Sequence, residues 1–335
     1  MSLPVRLDWN VDEQAWAEAI ARCTGATFFH TAEWLKTLER GFGSRVQRVR
    51  ATLPEGRSAL LPLTIRPLAR GLLPVAFSGE TGVYGGLLSP ETLGRREVEA
   101  VYAAMRARFS SLQVVGNPFA TRPHLPEPFN GGRPLLESSH ALVLKPFEEL
   151  RADMSRGCKG RTNKARRAGF ALSVSQDPAD ARIFYELYLD SARRWGEKLT
   201  WIRPLRFFEA LMAEGGSRVR LFLAREGDTP VAALLMCEYG AIAHYLAGAT
   251  DARVLEASPS NLLMEAALRH YADAGFEIFD FGASNGLEGV RKFKESFGAH
   301  PVPYGSVHFR SPATQLYFAL RAPWDRVRAR ARQFA

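Results

Sequence analysis

Residues 275–298 read GFEIFDFGASNGLEGVRKFKESFG. Phe276 to Phe281 is an apolar-aromatic run of strand length. Gly282 and Gly286 punctuate it, because glycine tolerates the backbone angles of a tight turn. A helix fits Leu287 to Phe297. Stepped at about 3.6 residues per turn, Leu287, Val290, Phe293 and Phe297 form one apolar stripe. Lys294 falls inside that stripe, whereas Lys292, Glu295 and Ser296 fall outside it. An inward lysine is costly to desolvate unless something anionic or electron-rich meets it. Alternatively its stem lies along the apolar surface and its charge stays in water. The first reading makes Lys294 the leading candidate for chemistry.

Upstream, Ser258 suits a cap, Pro259 a first helical turn and Gly275 a stop, which predicts a helix from Pro259 to Ala274. Before it, RVRLFLAREGDTPVAALLMCEYG reads as two strands around a turn, followed by AHYLAGAT. The same order occurs earlier: the hairpin RVQRVRATLPEGRSALLPLTIRP, then VYGGLLS, a helix near Thr92–Phe109 and the strand SLQVVG. SALLPL and VAALLM occupy equivalent places. The pattern implies a diverged duplication, with two similar α/β halves bounded at 1–145 and 146–310. Residues 311–335 form a C-terminal helix that packs back by its aromatic residues or lies on a membrane surface. Further helices are expected at Val11–Cys23, at Thr31–Arg40 ending at Gly41, from about Phe147, and near Asp180–Trp195 and Pro204–Ala213. ALVLKP reads as a strand, and Asn117–Pro134 as a surface loop.

The chain has 335 residues, 46% hydrophobic and 24% charged, an ordinary globular balance. Its net charge of +9 and pI of about 9.7 favour polyanionic partners: RNA, phosphorylated nucleotides or anionic membrane. Three separated cysteines, Cys23, Cys158 and Cys237, predict reduced thiols and a cytoplasmic protein without a zinc site. No histidine pair has helical metal-ligand spacing, and no cofactor is expected. No apolar run approaches the roughly 20 residues of a membrane helix, so any membrane contact is peripheral.

Three stretches besides 275–298 carry candidate sites. SRGCKGRTNKARRAGF, residues 155–170, holds Arg156, Lys159, Arg161, Lys164, Arg166 and Arg167 and no acid. Such a run neutralises phosphates, or is a solvated helix face. It lacks interleaved aromatics for stacking bases. In WIRPLRFFEAL, Arg203 and Arg206 flank a proline, and a guanidinium suits a bidentate grip on phosphate or carboxylate. They also read as surface arginines on an amphipathic helix. GETGVYGGLLSPE clusters glycines around Tyr84 and Gly85, either for close approach to a ligand or as a tight connection. It matches neither a P-loop nor a dinucleotide fingerprint.

Asp280-Phe281-Gly282, then Gly289, Phe293-Lys294 and Phe297-Gly298, resembles the C-terminal signature of the Fem family, peptidoglycan aminoacyltransferases of acetyltransferase-like (GNAT-type) fold. FFHTAEW, residues 28–34, resembles that family's entry motif. The likeness spans about residues 25 to 310. It implies an α/β fold of two tandem GNAT-like domains, mixed sheets flanked by helices, with a cleft between them. It further implies that Lys294 stabilises the oxyanion at the donor end and that Phe293, Tyr84 and Gly85 line the substrate site. Arg203 would grip the acceptor's pyrophosphate, with Lys36 as a parallel case. Arg156, Lys159, Arg161 and Lys164 would lie beside the cleft where the carrier binds. Asp280 is a candidate base, or a brace for its turn.

The expected function is transfer of an acyl or aminoacyl group from an activated, aminoacyl-tRNA-like carrier to an amine, with a cell-envelope precursor as acceptor. The site would be cytoplasmic, at or near the inner face of the membrane. Two alternatives stand beside it: an acyl-coenzyme A or acyl-carrier-protein N-acyltransferase of polysaccharide or natural-product assembly, and a non-catalytic basic RNA-binding module. Coenzyme A transferases of this fold hold pyrophosphate with a glycine loop ahead of a helix N-terminus. Here RVLEASPSNLL has no glycine, and Pro259 has no N–H. The long helical arm of some Fem proteins has no counterpart, which leaves tRNA use open.

Overall fold

The computed structural model describes residues 3–79, 82–120, 135–195, 202–284 and 286–321. Two long hairpins dominate it. β2 (Arg45–Thr52) pairs with β3 (Ser58–Leu68), and β8 (Val219–Glu226) with β9 (Thr229–Tyr239). The other strands are β1 (Arg6–Asp8), β4 (Leu73–Ser78), β5 (Ser111–Val115), β6 (Leu135–Val143), β7 (Ala171–Ser175), β10 (Ile242–Thr250), β11 (Ile278–Ala283) and β12 (His300–Arg310). All join one sheet of order β1-β2-β3-β4-β5-β12-β6-β11-β10-β9-β8-β7.

The ladder from β1 to β5 is antiparallel three times and then parallel, and the ladder from β7 to β11 repeats that sequence. The expected repetition of hairpin, strand, helix and strand therefore has a counterpart in the pairing. The sixth strands are exchanged. β6 pairs antiparallel with β11, and β12 pairs antiparallel with β5; the two also pair with each other. Strands thus cross the 145/146 line in both directions. VYGGLLS forms no strand, only the bridge Leu60↔Leu88.

Helices α1 (Glu13–Ala21), α2 (Ala32–Phe42), α3 (Arg95–Arg106), α4 (Phe147–Asp153), α5 (Arg156–Arg167), α6 (Ala181–Trp195), α7 (Leu205–Gly215), α8 (Pro259–Asp273) and α9 (Glu288–Ser296) flank the sheet. α2 begins at Thr31, whose hydroxyl caps Trp34 N, and runs past Gly41 to a left-handed Gly43. Gly41 does not stop the helix. It lets α7 approach, since a Cβ there would lie 2.8 Å from Phe207 Cα. Ser258 is itself left-handed and makes no capping bond to α8. Phe42 stacks on Phe207 at 4.8 Å, so a helix of each half meets the other.

Successive residues of β11 face opposite sides, as strand geometry requires. Phe279 and Phe281 join a core with Phe147, Leu263, Tyr271 and Phe297. Asp280 points to the other face, whose core holds Phe29, Trp34, Tyr84, Phe207 and Tyr304. The C-terminal helix, described over 312–321, leaves Leu316 61% and Leu320 65% exposed, and the Arg310 guanidinium lies 4.9 Å from the centre of the Phe318 ring. The first turn of this helix is anchored by Thr314, buried and donating to Ser110 O at 2.9 Å. Trp324 and the rest of that segment lie outside the described residues, as does most of the 117–134 loop.

Candidate active site

β10 and β11 run parallel for only three paired residues, ending at His244↔Asp280. β10 then continues along β9, with a register shift after Tyr245, and β11 continues along β6. The strands part at this point. β11 also bulges between Asp280 and Ala283, and Gly282 takes φ +72°, a backbone that favours glycine. The bulge frees two carbonyls. Lys294, reaching in from α9, donates its Nζ protons to Gly282 O at 2.7 Å and Ala283 O at 2.8 Å. Lys294 is 2% exposed. Its head is held inside rather than extended to water. Burial lowers its pKa to about 8, and nearby Asp280 opposes that shift.

The rest of the expected stripe behaves differently. Phe297 is buried and Phe293 half-buried, while Leu287 and Val290 are 36% and 37% exposed. The helical period is right, but the sheet covers only the side of α9 that carries Lys294 and Phe297.

Asp280 is fully buried. Its Oδ1 accepts from Ser139 Oγ at 2.6 Å, Gly282 N at 2.9 Å and Tyr84 OH at 3.4 Å. Its Oδ2 lies 2.5 Å from His244 Nδ1. Burial alone would raise the carboxyl pKa, but His244, Ser139 and the Gly282 N–H together hold it below the usual carboxylate value. Phe29 meets the His244 ring edge-on at 4.6 Å, and Tyr84 does so at 5.7 Å. Tyr84 also packs on Tyr304 at 5.2 Å, whose hydroxyl donates to Glu137 at 2.8 Å. Burial raises the Tyr84 pKa well above its ordinary value, so it is a neutral donor. Sequence reading found Asp280, Tyr84 and Lys294, which the fold gathers around Gly282. It missed Ser139 and His244. The available signal was a polar residue in an otherwise apolar strand, AIAHYLAGAT, in register with the Asp of IFDFG.

Gly85 packs on protein. A Cβ there would lie 2.3 Å from Ser78 Oγ, and its carbonyl lies 2.9 Å from His30 Nε2. Gly85 N also donates to Val115 O, so the glycine loop fills the ends of β4 and β5. Arg203 sits beside Tyr188 and Phe207, where burial lowers its pKa and Tyr188 opposes the shift. Lys36 instead pairs with Glu13 at 2.6 Å, both side chains over a third exposed. Lys36→Ala should therefore lower stability by less than about 1 kcal/mol in a denaturant titration.

Phe293 and Arg161 line a separate open cleft of about 470 Å³ with Lys292, Thr250, Ser258 and Ser260. Arg156 and Lys164 are exposed on the same helix as Arg161, α5. Lys159 donates to Ala152 O at 2.7 Å. Arg166 is tied to buried Glu265, so the basic run is only partly available to a partner. Among the described residues no His, Cys, Asp and Glu cluster could hold a metal, and no helix is long and apolar enough to cross a membrane.

Residues 152–295, which include the parting strands, the cleft and Lys294, match the family model described as an acetyltransferase (GNAT) domain. The chain carries a GNAT-superfamily acyltransferase domain. Solved structures share the fold of this acyltransferase at low identity. FemX is 12% identical, with a TM-score of 0.71 over 94% of this chain and 99% of that one. The C-terminal domain of a putative lysylphosphatidylglycerol synthetase from Agrobacterium fabrum is 15% identical, with a TM-score of 0.54 over 92% of this chain and 96% of that one. L-PGS from Bacillus licheniformis is 13% identical, with a TM-score of 0.51 over 79% and 84%. A search of curated proteins finds no match.

Proposed function

We propose that this acyltransferase moves an acyl or aminoacyl group from an ester-linked carrier of the aminoacyl-tRNA kind to the amine of a cell-envelope precursor. The observation that carries this reading is the vertex between β10 and β11, where Lys294 and Asp280 converge on Gly282. An ester or thioester carbonyl held there gains from a positive charge nearby as its oxygen becomes anionic. Lys294 supplies that charge. The repeated ladders support a tandem arrangement of two GNAT-like units, roughly 1–145 and 146–310, that exchange their last strands and share a substrate cleft. In this reading Phe293 lines the open cleft beside α5, Tyr84 backs the Asp280 side of the vertex, and Arg203 and Lys36 serve the acceptor end. Arg156, Lys159, Arg161 and Lys164 guide a polyanionic carrier toward the cleft beside Phe293. The resemblance to the Fem family and the likeness to a putative lysylphosphatidylglycerol synthetase domain support an envelope acceptor, and our reading puts the reaction in the cytoplasm.

Coenzyme A fits less well. The segment ahead of α8 is a 3₁₀ turn, Ala252–Ala257, followed by left-handed Ser258 and Pro259. That leaves a pyrophosphate fewer backbone N–H groups than an open glycine loop offers.

The test is product mass spectrometry after parallel incubation with charged tRNA, acyl-coenzyme A and acyl-carrier protein, each with an amine-bearing peptidoglycan precursor. Product from charged tRNA is expected. Product from the thioesters alone would move the donor to the second class. Binding of RNA with no transfer from any donor would leave only a binding module.

A further inference from the structure

We propose that His244 is the general base of the transfer, with Asp280 as the residue that orients it. The inference rests on the transferase reading above. An ionised carboxylate only accepts hydrogen bonds. Oδ1 of Asp280 already receives Ser139, Gly282 N–H and Tyr84, and the residue has no exposed surface. Asp280 is therefore poorly placed to take a proton from substrate. Its remaining oxygen, Oδ2, faces His244 Nδ1 at 2.5 Å. Nδ1 must be the donor in that bond, so in the neutral ring Nε2 carries the lone pair. Among the described residues no hydrogen-bond partner is found for Nε2.

The surroundings point the same way. A Cβ built on Gly282 would lie 3.4 Å from His244 Cε1 and 3.7 Å from Nε2, so the missing side chain leaves that flank of the imidazole open. Phe29 and Tyr84 fix the plane of the ring from other directions. His244 is also the last β10 residue paired to β11 before the strands part. His30, also buried, differs: its Nδ1 lies 2.9 Å from Thr27 Oγ1 and its Nε2 2.9 Å from Gly85 O. Both of its nitrogens are occupied by the fold.

The step balances without a further reagent. The acceptor amine attacks the ester carbonyl, and a C–N bond forms. Nε2 takes the proton that the nitrogen gives up. The C–O bond to the carrier breaks, and the imidazolium returns the proton to the leaving oxygen. Amine and ester become amide and alcohol with no net proton change.

Two measurements on the full-length protein test this. In the first, diethyl pyrocarbonate at neutral pH should carbethoxylate His244 and exposed His300 and spare His30, read by peptide mass spectrometry. Modification of His300 with His244 untouched would overturn the proposal. In the second, His244→Gln is assayed with whichever donor gives product. General-base loss should lower kcat on the order of 10²–10⁴-fold, with little change in KM. Wild-type kcat in a folded His244→Gln protein would overturn this inference and leave the transferase reading standing. No product from any donor would overturn both.

Discussion

Lys294→Met should cost transfer about 10²–10³-fold, the loss typical of removing one oxyanion donor, while leaving the melting temperature within about 5 °C. The two halves of this expectation have separate causes. Burying the ammonium, which lowers its pKa to about 8, costs roughly 3 kcal/mol relative to a free lysine. Methionine removes that penalty. It also strands the Gly282 and Ala283 carbonyls, at about 1–3 kcal/mol each. The terms oppose each other and are of similar size, so a large thermal shift would show that Lys294 acts chiefly as a brace for the bulge. The pH dependence has a definite sign. Transfer should fall as pH rises through about 8, where the folded protein loses this charge. Stability should rise over the same range toward the free-lysine value near 10.4, because there the unfolded chain binds more protons. Opposite slopes for rate and stability are the signature to measure.

Asp280→Asn should be the more damaging change, with a rate loss on the order of 10³–10⁴-fold, the scale set by a base held in the wrong tautomer. Asparagine brings an NH₂ group into a site whose neighbours are almost all donors. Turned one way it faces Ser139 and the Gly282 N–H; turned the other it faces His244 Nδ1–H. The imidazole can relieve the second clash only by moving its proton to Nε2, which removes the lone pair. The substitution also deletes the negative charge that supports the Lys294 ammonium. Stability should drop by about 3 kcal/mol, the cost of breaking a buried charged group's bonds. Because the Asp280 pKa is lowered, its contribution is complete above about 3.9 and is lost as pH falls through the folded value. The variant should therefore show a flatter acid limb in a denaturation series. A wild-type rate in Asp280→Asn would remove the orienting role.

The sequence revealed the site to the extent that the site is local. Lys294, the Gly282 turn and Asp280 lie within one strand-turn-helix unit, so helical spacing and glycine placement bring them together. Ser139 and His244 reach Asp280 across 141 and 36 residues through sheet pairing, and no periodicity encodes register between distant strands. The apolar stripe of α9 was legible as a pattern, but its exposure was not, because that depends on how far the sheet extends beneath it. Gly41 looked like a stop signal and is a packing notch, decided by Phe207 of a helix remote in sequence. The repeat of hairpin, strand, helix and strand was visible. The exchange of β6 and β12 was not, since each strand reads the same in either ladder.

That exchange bears on how the protein is made. A ribosome releases the N-terminal 120 residues long before residues 300–310, which supply the partner of β5. Until then the β5 edge carries unsatisfied backbone groups, open to pairing with another chain. Synthesis from the N-terminus therefore cannot finish one half and then begin the next. Both halves are completed only once residues 300–310 have emerged and filled the edge beside β5.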